Sequence, residues 1–265
     1  MTRLFAALIT LLIGMPAIAG DLKLAVTTSF HNSGLSNILL PVIKADIGLN
    51  VHLIVVGTGQ AIRLGEAGDV DAILVHSRTA EEAFLAQGFG RHRREIMYND
   101  FVLIGPADDP AGIAAAPDAI AALTAIAETR APFVSRGDDS GTHKKELALW
   151  VAAGIADRDV AWYREAGSGM GATLNTAAAL GSYVLADRAS WLNFGNPRGI
   201  ALLFTGDPVL FNQYAFLPVN QERHPHVKSD LNALLEAWLV SEKAQTMIAA
   251  YQINGETLFT ANAVE

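Results

Sequence analysis

The sequence predicts an α/β protein of two lobes, and three observations carry that expectation. Runs with strand-like alternation are followed repeatedly by runs whose apolar residues fall at three-and-four spacing, the order of a mixed, mostly parallel sheet with helices on both faces. The same series starts afresh after a turn-rich break at residues 106–110. The chain of 265 residues is also longer than one core comfortably organises, even once its leader is set aside.

Residues 1–19 read as a signal peptide. Arg3 supplies the positive start, Leu4 to Ile13 the apolar stretch, and Ala17-Ile18-Ala19 the small-residue cleavage signal. The apolar stretch is too short for the roughly 20 residues of a membrane span, so the expectation is an exported, soluble protein without direct membrane insertion.

Residues 21–29 alternate and end in hydroxyls, as a strand entering a loop does, and a helix follows through Leu35, Ile38, Leu39, Val42 and Ile43 with a bend at Pro41. Val51 to Val56 is a second strand, closed by Gly57-Thr58-Gly59-Gln60. After a short segment to Glu66, residues 70–75 form a third, ending at His76-Ser77-Arg78. Thr79 with Glu82 predicts a capping box for a helix stopping at Gly88. Beyond it, Phe101 to Gly105 is a strand, Pro117 and Asp118 open a helix, and Ala131 to Ser135 is a strand. The loop 136–142 then opens a helix with Leu147, Trp150 and Val151 as its buried face. A helix from about Ala172 follows Gly167-Ser168-Gly169-Met170-Gly171. Strands at Ile200 to Phe204 and Tyr214 to Val219, and helical residues 229–251, complete the reading.

Composition narrows the function. Nineteen basic against 27 acidic residues give a formal charge of −8, one unit more negative without the leader, which disfavours nucleic acid and anionic membrane surfaces as partners. With no cysteine there are no disulfides, no cysteine-based zinc sites, no cysteine nucleophile and no lipid anchor on an N-terminal cysteine. The basic run Arg91 to Arg94 is short and reads as a solvated turn.

Three clusters of Ser, Thr and Gly stand where a strand ends and a helix begins: Thr27-Thr28-Ser29, Gly57-Thr58-Gly59 and Ser140-Gly141-Thr142. The first N–H groups of a helix lack internal acceptors, and short hydroxyls can donate beside them, so the combination suits an anion. Any one cluster is equally an ordinary helix cap. Three of them at the carboxyl ends of strands favour a ligand site, because that is where open α/β sheets bind. Arg136 adds one guanidinium fork, with an ion pair to Asp138 or Asp139 as its plainer alternative, and Ser168 marks a fourth junction. No nucleophile elbow, zinc-protease pair or phosphate-binding loop occurs. The remaining histidines, His76 among them, show no ligating pattern. Hence the chain is expected to be no enzyme, with no catalytic residues, no cofactor and no metal cation.

In order along the chain stand Thr27-Thr28-Ser29, Val56-Gly57-Thr58-Gly59-Gln60, the block Asp71 to Arg78, Met97-Tyr98-Asn99-Asp100-Phe101, the block Phe133 to Glu146 and the block Ala166 to Asn175. Through them the sequence resembles the tungstate-binding periplasmic proteins of ATP-driven (ABC) uptake transporters, most specifically through Phe133 to Glu146. The resemblance implies a two-lobed type II solute-binding fold with the ligand cleft between lobes, lobe 1 comprising 20–103 and 217–265 and lobe 2 comprising 104–216. It further implies a periplasmic monomer that binds tungstate or molybdate and delivers it to a membrane permease. Thr28, Ser29 and Thr58 would be the oxyanion ligands from lobe 1, and Arg136, Ser140 and Thr142 those from lobe 2, with Gly59, Gly141 and Ser168 beside them. Val26 replaces a further threonine that often begins the family's first motif. Two alternatives stay open. A phosphate-binding protein would need an inward carboxylate from Asp138 or Asp139 to take the proton of monohydrogen phosphate, and a secreted hydrolase would use Ser140.

Overall fold

A computed structural model describes residues 20–138, 140–156 and 158–264; the leader and its cleavage signal, and Asp139, lie outside the described residues. In chain order the first elements are β1 (Gly20–Thr27), α1 (Thr28–Ser33), α2 (Leu35–Ile47), β2 (Leu49–Val56), α3 (Thr58–Ala67), β3 (Ala72–Val75), α4 (Arg78–Ala86) and β4 (Arg94–Pro106). There follow α5 (Ala119–Glu128), β5 (Phe133–Ser135), α6 (Gly141–Ala152), β6 (Tyr163–Glu165), α7 (Met170–Leu180), β7 (Val184–Asp187), α8 (Arg188–Leu192), β8 (Ile200–Phe204) and β9 (Phe211–Pro218). The tail adds α9 (Ser229–Val240), α10 (Glu242–Ala249), β10 (Gln252–Ile253), β11 (Glu256–Thr257) and β12 (Thr260–Ala261).

The long strand β4 organises the molecule. Its first part, Arg94 to Asp100, pairs with β9, and from Phe101 onward it pairs instead with β7 and β8. The first half of the fold is thus the sheet β12-β4-β9-β3-β1-β2. The second half is built on the far end of β4, with the pair β5-β6 beside it. Alternation along each strand sends neighbours to opposite faces and so to separate cores. Leu24, Val26 and Leu74 pack on one face of the first half, and Ala25, Ile73 and Val75 on the other. Phe101 and Leu103 oppose Val102 and Ile104 in the second. Each such fully buried large side chain contributes about 1.5–3 kcal/mol.

The mixed α/β class is as the sequence predicts, but the mostly parallel character is not. Among the described residues the parallel ladders are β1 with β2, β1 with β3, and β5 with β6, joined by one parallel bridge from Phe133 to Tyr183, while β4 and β9 run antiparallel to every strand they pair with. β4 carries the chain out of the first half and β9 brings it back beside β4, so the two run in opposite directions. Four further expectations are corrected. The helix expected from residue 35 is preceded by α1, separated from it at Gly34. The cap of α4 is Ser77, whose N–H donates to Glu81 at 2.6 Å, whereas Glu82 receives Arg78 at 2.7 Å. In α6 the buried residues are Thr142, Glu146, Leu149 and Trp150, and Val151 is 71% exposed. The basic run is tied down: Arg93 donates to Glu81 at 2.6 Å, and His92 and Arg94 both meet Glu236.

Candidate functional site

The register of the sheet brings the hydroxyl-rich junctions to one edge. Thr27 lies beside Val56 and Val26 beside Leu74, all in parallel, so the chain leaves β1, β2 and β3 together at Thr28, Gly57 and His76. In the second half Ser135 lies beside Glu165, which puts the Arg136 loop and the Ser168 loop on one edge too. Ala166 N–H donates to Ser135 O at 2.9 Å and Ser168 N–H to Arg136 O at 3.3 Å, stitching those loops together.

The two edges meet. A Cβ built on Gly141, the first residue of α6, would stand 2.5 Å from His76 Cε1, 3.0 Å from His76 Nδ1 and 3.3 Å from Thr58 Oγ1. Only a glycine lets the start of α6 come this close to the first half. A cleft of about 700 Å³ opens against this junction, with His76, Phe101, Gly141, Lys145 and Asn212 in its wall.

On the first side, Ser29 Oγ lies 3.0 Å from Thr27 Oγ1, 3.0 Å from His76 Nε2 and 3.2 Å from the Tyr214 hydroxyl. Thr27 is buried and caps α1 by accepting from Phe30 N–H at 3.2 Å, whereas Thr28 is exposed in the first turn. Thr58 opens α3 with a side-chain oxygen that is enclosed and makes no hydrogen bond among the described residues, and Gly59 follows, partly buried. Enclosure drives His76 down to about 4, with a smaller push from the charges of Arg136 and Lys145, so its ring is neutral near pH 7. Although part of the residue reaches solvent, its Nδ1 is buried and unpaired.

The second side is ionic. Arg136, only 9% exposed, donates through Nη2 to Asp138 Oδ2 at 2.5 Å and through Nε to Ser168 O at 3.3 Å. The ion pair named as its plainer alternative therefore exists, with Asp138, but the arginine is buried. Asp138 Oδ1 also accepts from the Ser140 N–H at 3.1 Å and the Ser140 hydroxyl at 2.5 Å, while Ser140 Oγ caps α6 by accepting from His143 N–H at 3.2 Å. Gly137, at φ +62°, makes that turn and leaves no room for a side chain, since its Cβ would fall 2.5 Å from Glu165 Cβ. Thr142 is buried in the first turn of α6, and Ser168 Oγ lies 3.4 Å from Thr173 Oγ1.

Behind the loop, the buried Glu146 accepts from Ser135 and Tyr163 hydroxyls, each at 2.7 Å, and from Trp150 Nε1 at 3.1 Å. Burial raises its carboxyl above the usual range. This cluster fixes the residue preceding Arg136.

The structure thus gathers Ser29, Thr58 and Gly141 around His76, and Arg136 and Ser140 around Asp138 with Ser168 against Arg136, while Thr28 is exposed. Sequence reasoning missed His76, Tyr214 and Asp138's role as a clamp. The signal for His76 was its position, directly after an apolar strand and level with the starts of the other two loops.

Two lobes that share β4 and face each other with strand-end loops define a solute-binding protein. A profile of the PBP superfamily domain matches residues 16–243. The chain is 43% identical over 250 residues, 93% of its length and 87% of the relative's, to the tungstate-binding protein TupA of Peptoclostridium acidaminophilum. Among solved structures it is similar to the tungstate-binding protein TupA of Desulfovibrio alaskensis G20, with TM-score 0.84, 44% identity and coverage of 93% of this chain and 100% of that one. The tungstate ABC transporter structure from Geobacter sulfurreducens gives TM-score 0.79 and 45% identity over 87% and 98% of the two chains. The chain belongs to the TupA family of tungstate-binding proteins, within the periplasmic-binding-protein superfamily.

Proposed function

We propose that this protein is the extracytoplasmic tungstate-binding component of an ABC-type uptake system, holding the anion in the cleft and presenting it to a membrane permease as a periplasmic monomer. The observation that carries the reading is the approach of α6 at Gly141 to Thr58 and His76, which supports a site shared by the loops of both halves. Tungstate is a fully deprotonated tetrahedral dianion near neutral pH and only accepts hydrogen bonds. Hydroxyls, loop N–H groups and one guanidinium satisfy it.

We assign Ser29, Thr58, Arg136, Ser140 and Thr142 to the ligand, with Gly59, Gly141 and Ser168 framing it and Thr28 reached by a turn of α1. Ser140 would give up its bond to Asp138 on binding. The lobes are taken as 20–103 with 217–265 and 104–216; the change of β4's partners after Asp100 supports the first crossing, and the pairing of β9 from Phe211 supports a return a few residues earlier. Donors from both lobes on one anion favour the closed state, a population shift that a permease can read.

Asp138 argues against phosphate. In the anion-free protein its oxygens accept from Arg136 and from Ser140, so taking the proton of monohydrogen phosphate would compete with those bonds. Hydrolysis by a serine–histidine pair finds no support at Ser140: among the described residues its Oγ meets a carboxylate and a backbone N–H, while His143 Nδ1 sits 3.1 Å from Ser135 Oγ. The chain acts by binding, not as an enzyme.

Thermal unfolding across tungstate, molybdate, sulfate, phosphate and chromate tests the reading. A ligand at a hundred times its dissociation constant adds about 2.7 kcal/mol. Tungstate should raise the transition and phosphate should not displace it. No shift with any of the five anions defeats the proposal.

A further inference from the structure

The hydrogen bonds around Ser29 contain a direction that the ligand assignment alone does not explain. A hydroxyl has two lone pairs and one hydrogen. Ser29 Oγ has three side-chain neighbours, His76 Nε2, the Tyr214 hydroxyl and Thr27 Oγ1. If His76 accepted the Ser29 hydrogen, that hydrogen would be unavailable to an anion. Which way the bond runs depends on which ring nitrogen carries the proton of the neutral imidazole.

The surroundings of the other nitrogen decide it. His76 Nδ1 is buried with no partner within hydrogen-bond distance, although the Asn212 side chain and the residue's own backbone lie near enough to favour a proton on the ring, and it faces the start of α6, where a Gly141 Cβ would stand 3.0 Å away. The first turn of a helix is its positive end. The charges of Arg136 and Lys145 also act on this ring. A positive field favours a bare lone pair at Nδ1 and disfavours an N–H there, which would in addition be an unpaired buried donor costing about 1–3 kcal/mol. The proton therefore sits on Nε2 and is donated to Ser29. Tyr214, wholly buried, has Ser29 Oγ at 3.2 Å as acceptor for its own hydrogen. With both lone pairs filled, Ser29 has its hydrogen left over; in the anion-free protein it lies toward Thr27 Oγ1, and a ligand oxygen on that side would take it instead.

We infer that His76 is a positioning residue of the anion site: with its proton on Nε2 it donates to Ser29, leaves the Ser29 hydrogen available to the bound oxyanion, and meets Gly141 of the opposite lobe with its other edge. Its ring is held for this between Tyr214, at 4.8 Å between centroids, and Phe101, at 6.4 Å. The inference rests on the proposed role of Ser29 as a tungstate ligand.

The test compares wild type, His76→Gln and His76→Leu by tungstate calorimetry at pH 7.5 and by thermal unfolding without anion, together with long-range proton–nitrogen NMR of the imidazole. Glutamine can still donate to Ser29 and should bind within about threefold of wild type, whereas leucine cannot and should lose about tenfold or more. NMR should show the His76 proton on Nε2 and a bare Nδ1. A leucine variant that binds as tightly as wild type, a glutamine variant no better than the leucine one, or a proton on Nδ1 would overturn the assignment. Should the leucine variant fail to fold, the glutamine variant and the NMR decide. Wild type that binds no tungstate refutes the tungstate reading, while wild type that binds beside an equally tight leucine variant refutes only the role of His76.

Discussion

The two banks of the cleft supply donors by different means. On the first, Ser29 is surrounded by neutral groups and Thr58 by none that bond to it; no charged side chain hydrogen-bonds to either residue among the described residues. On the second, Arg136, Asp138 and Ser140 form an ionic triad closed on itself, backed by the Glu146 cluster. The second bank's guanidinium is held in place by its own carboxylate before a ligand arrives, while Ser140 exchanges its partner on binding; the first bank is completed by the ligand. The contrast separates two jobs: one bank balances charge, and the other fixes where the oxygens lie. Preorganised charge is effective in an enclosed site because it need not be rearranged on binding.

If that division holds, removing the charge has the largest effect. Arg136→Ala should weaken tungstate binding by more than a hundredfold, about 3 kcal/mol, because it deletes a charge-assisted donor and leaves Asp138 facing a dianion unpaired. Arg136→Lys should recover only part, since an ammonium is a point charge and cannot hold Asp138, Ser168 O and an anion with one fork. Calorimetry that finds Arg136→Ala as tight as wild type removes the second bank's role altogether.

That bank was also the more legible in the sequence. A cluster such as Ser140-Gly141-Thr142 announces a helix start through local chemistry, and Arg136 stands four residues ahead of it on the same loop. The strand-end position of the first-bank clusters was legible for the same reason. What remained hidden depends on partners distant in sequence. Ser29 meets Tyr214, 185 residues away, and His76, 47 away, and no local pattern marks either pair. The first part of β4 was overlooked because Arg94, Glu95, Asn99 and Asp100 interrupt its apolar residues, and its role appears only once β9 returns to pair with it. Val151 was misjudged because apolar character was taken for burial, while the polar Glu146 occupies the inner face through three hydrogen bonds.

A smaller effect is expected where the banks touch. Gly141 lies within α6 without a left-handed φ, so alanine suits the helix itself, and the effect of the substitution arises where the halves meet. The added methyl carbon would stand 2.5 Å from His76 Cε1, and the ring, set against Tyr214 and Phe101, has little room to yield. Gly141→Ala should therefore push the halves apart and cost about tenfold or more in tungstate affinity. Small-angle scattering should show the tungstate-bound variant less compact than bound wild type. Unchanged affinity and compaction would mean that the lobes close elsewhere.

The smallest effect sharpens the first bank's character. Thr58 carries an enclosed hydroxyl with no partner among the described residues, a cost to the folded protein that a bound anion would relieve. Valine has nearly the same shape without that oxygen. Thr58→Val should raise anion-free stability by about 1 kcal/mol and weaken tungstate binding by about five- to tenfold, because the donor is lost and the strain it relieved is gone as well. The two shifts have opposite signs, which distinguishes this site from a packing defect, where both would fall together. If Thr58→Val destabilises the free protein and leaves affinity untouched, Thr58 is a structural cap and the first bank is reduced to Ser29 and the loop N–H groups beside it.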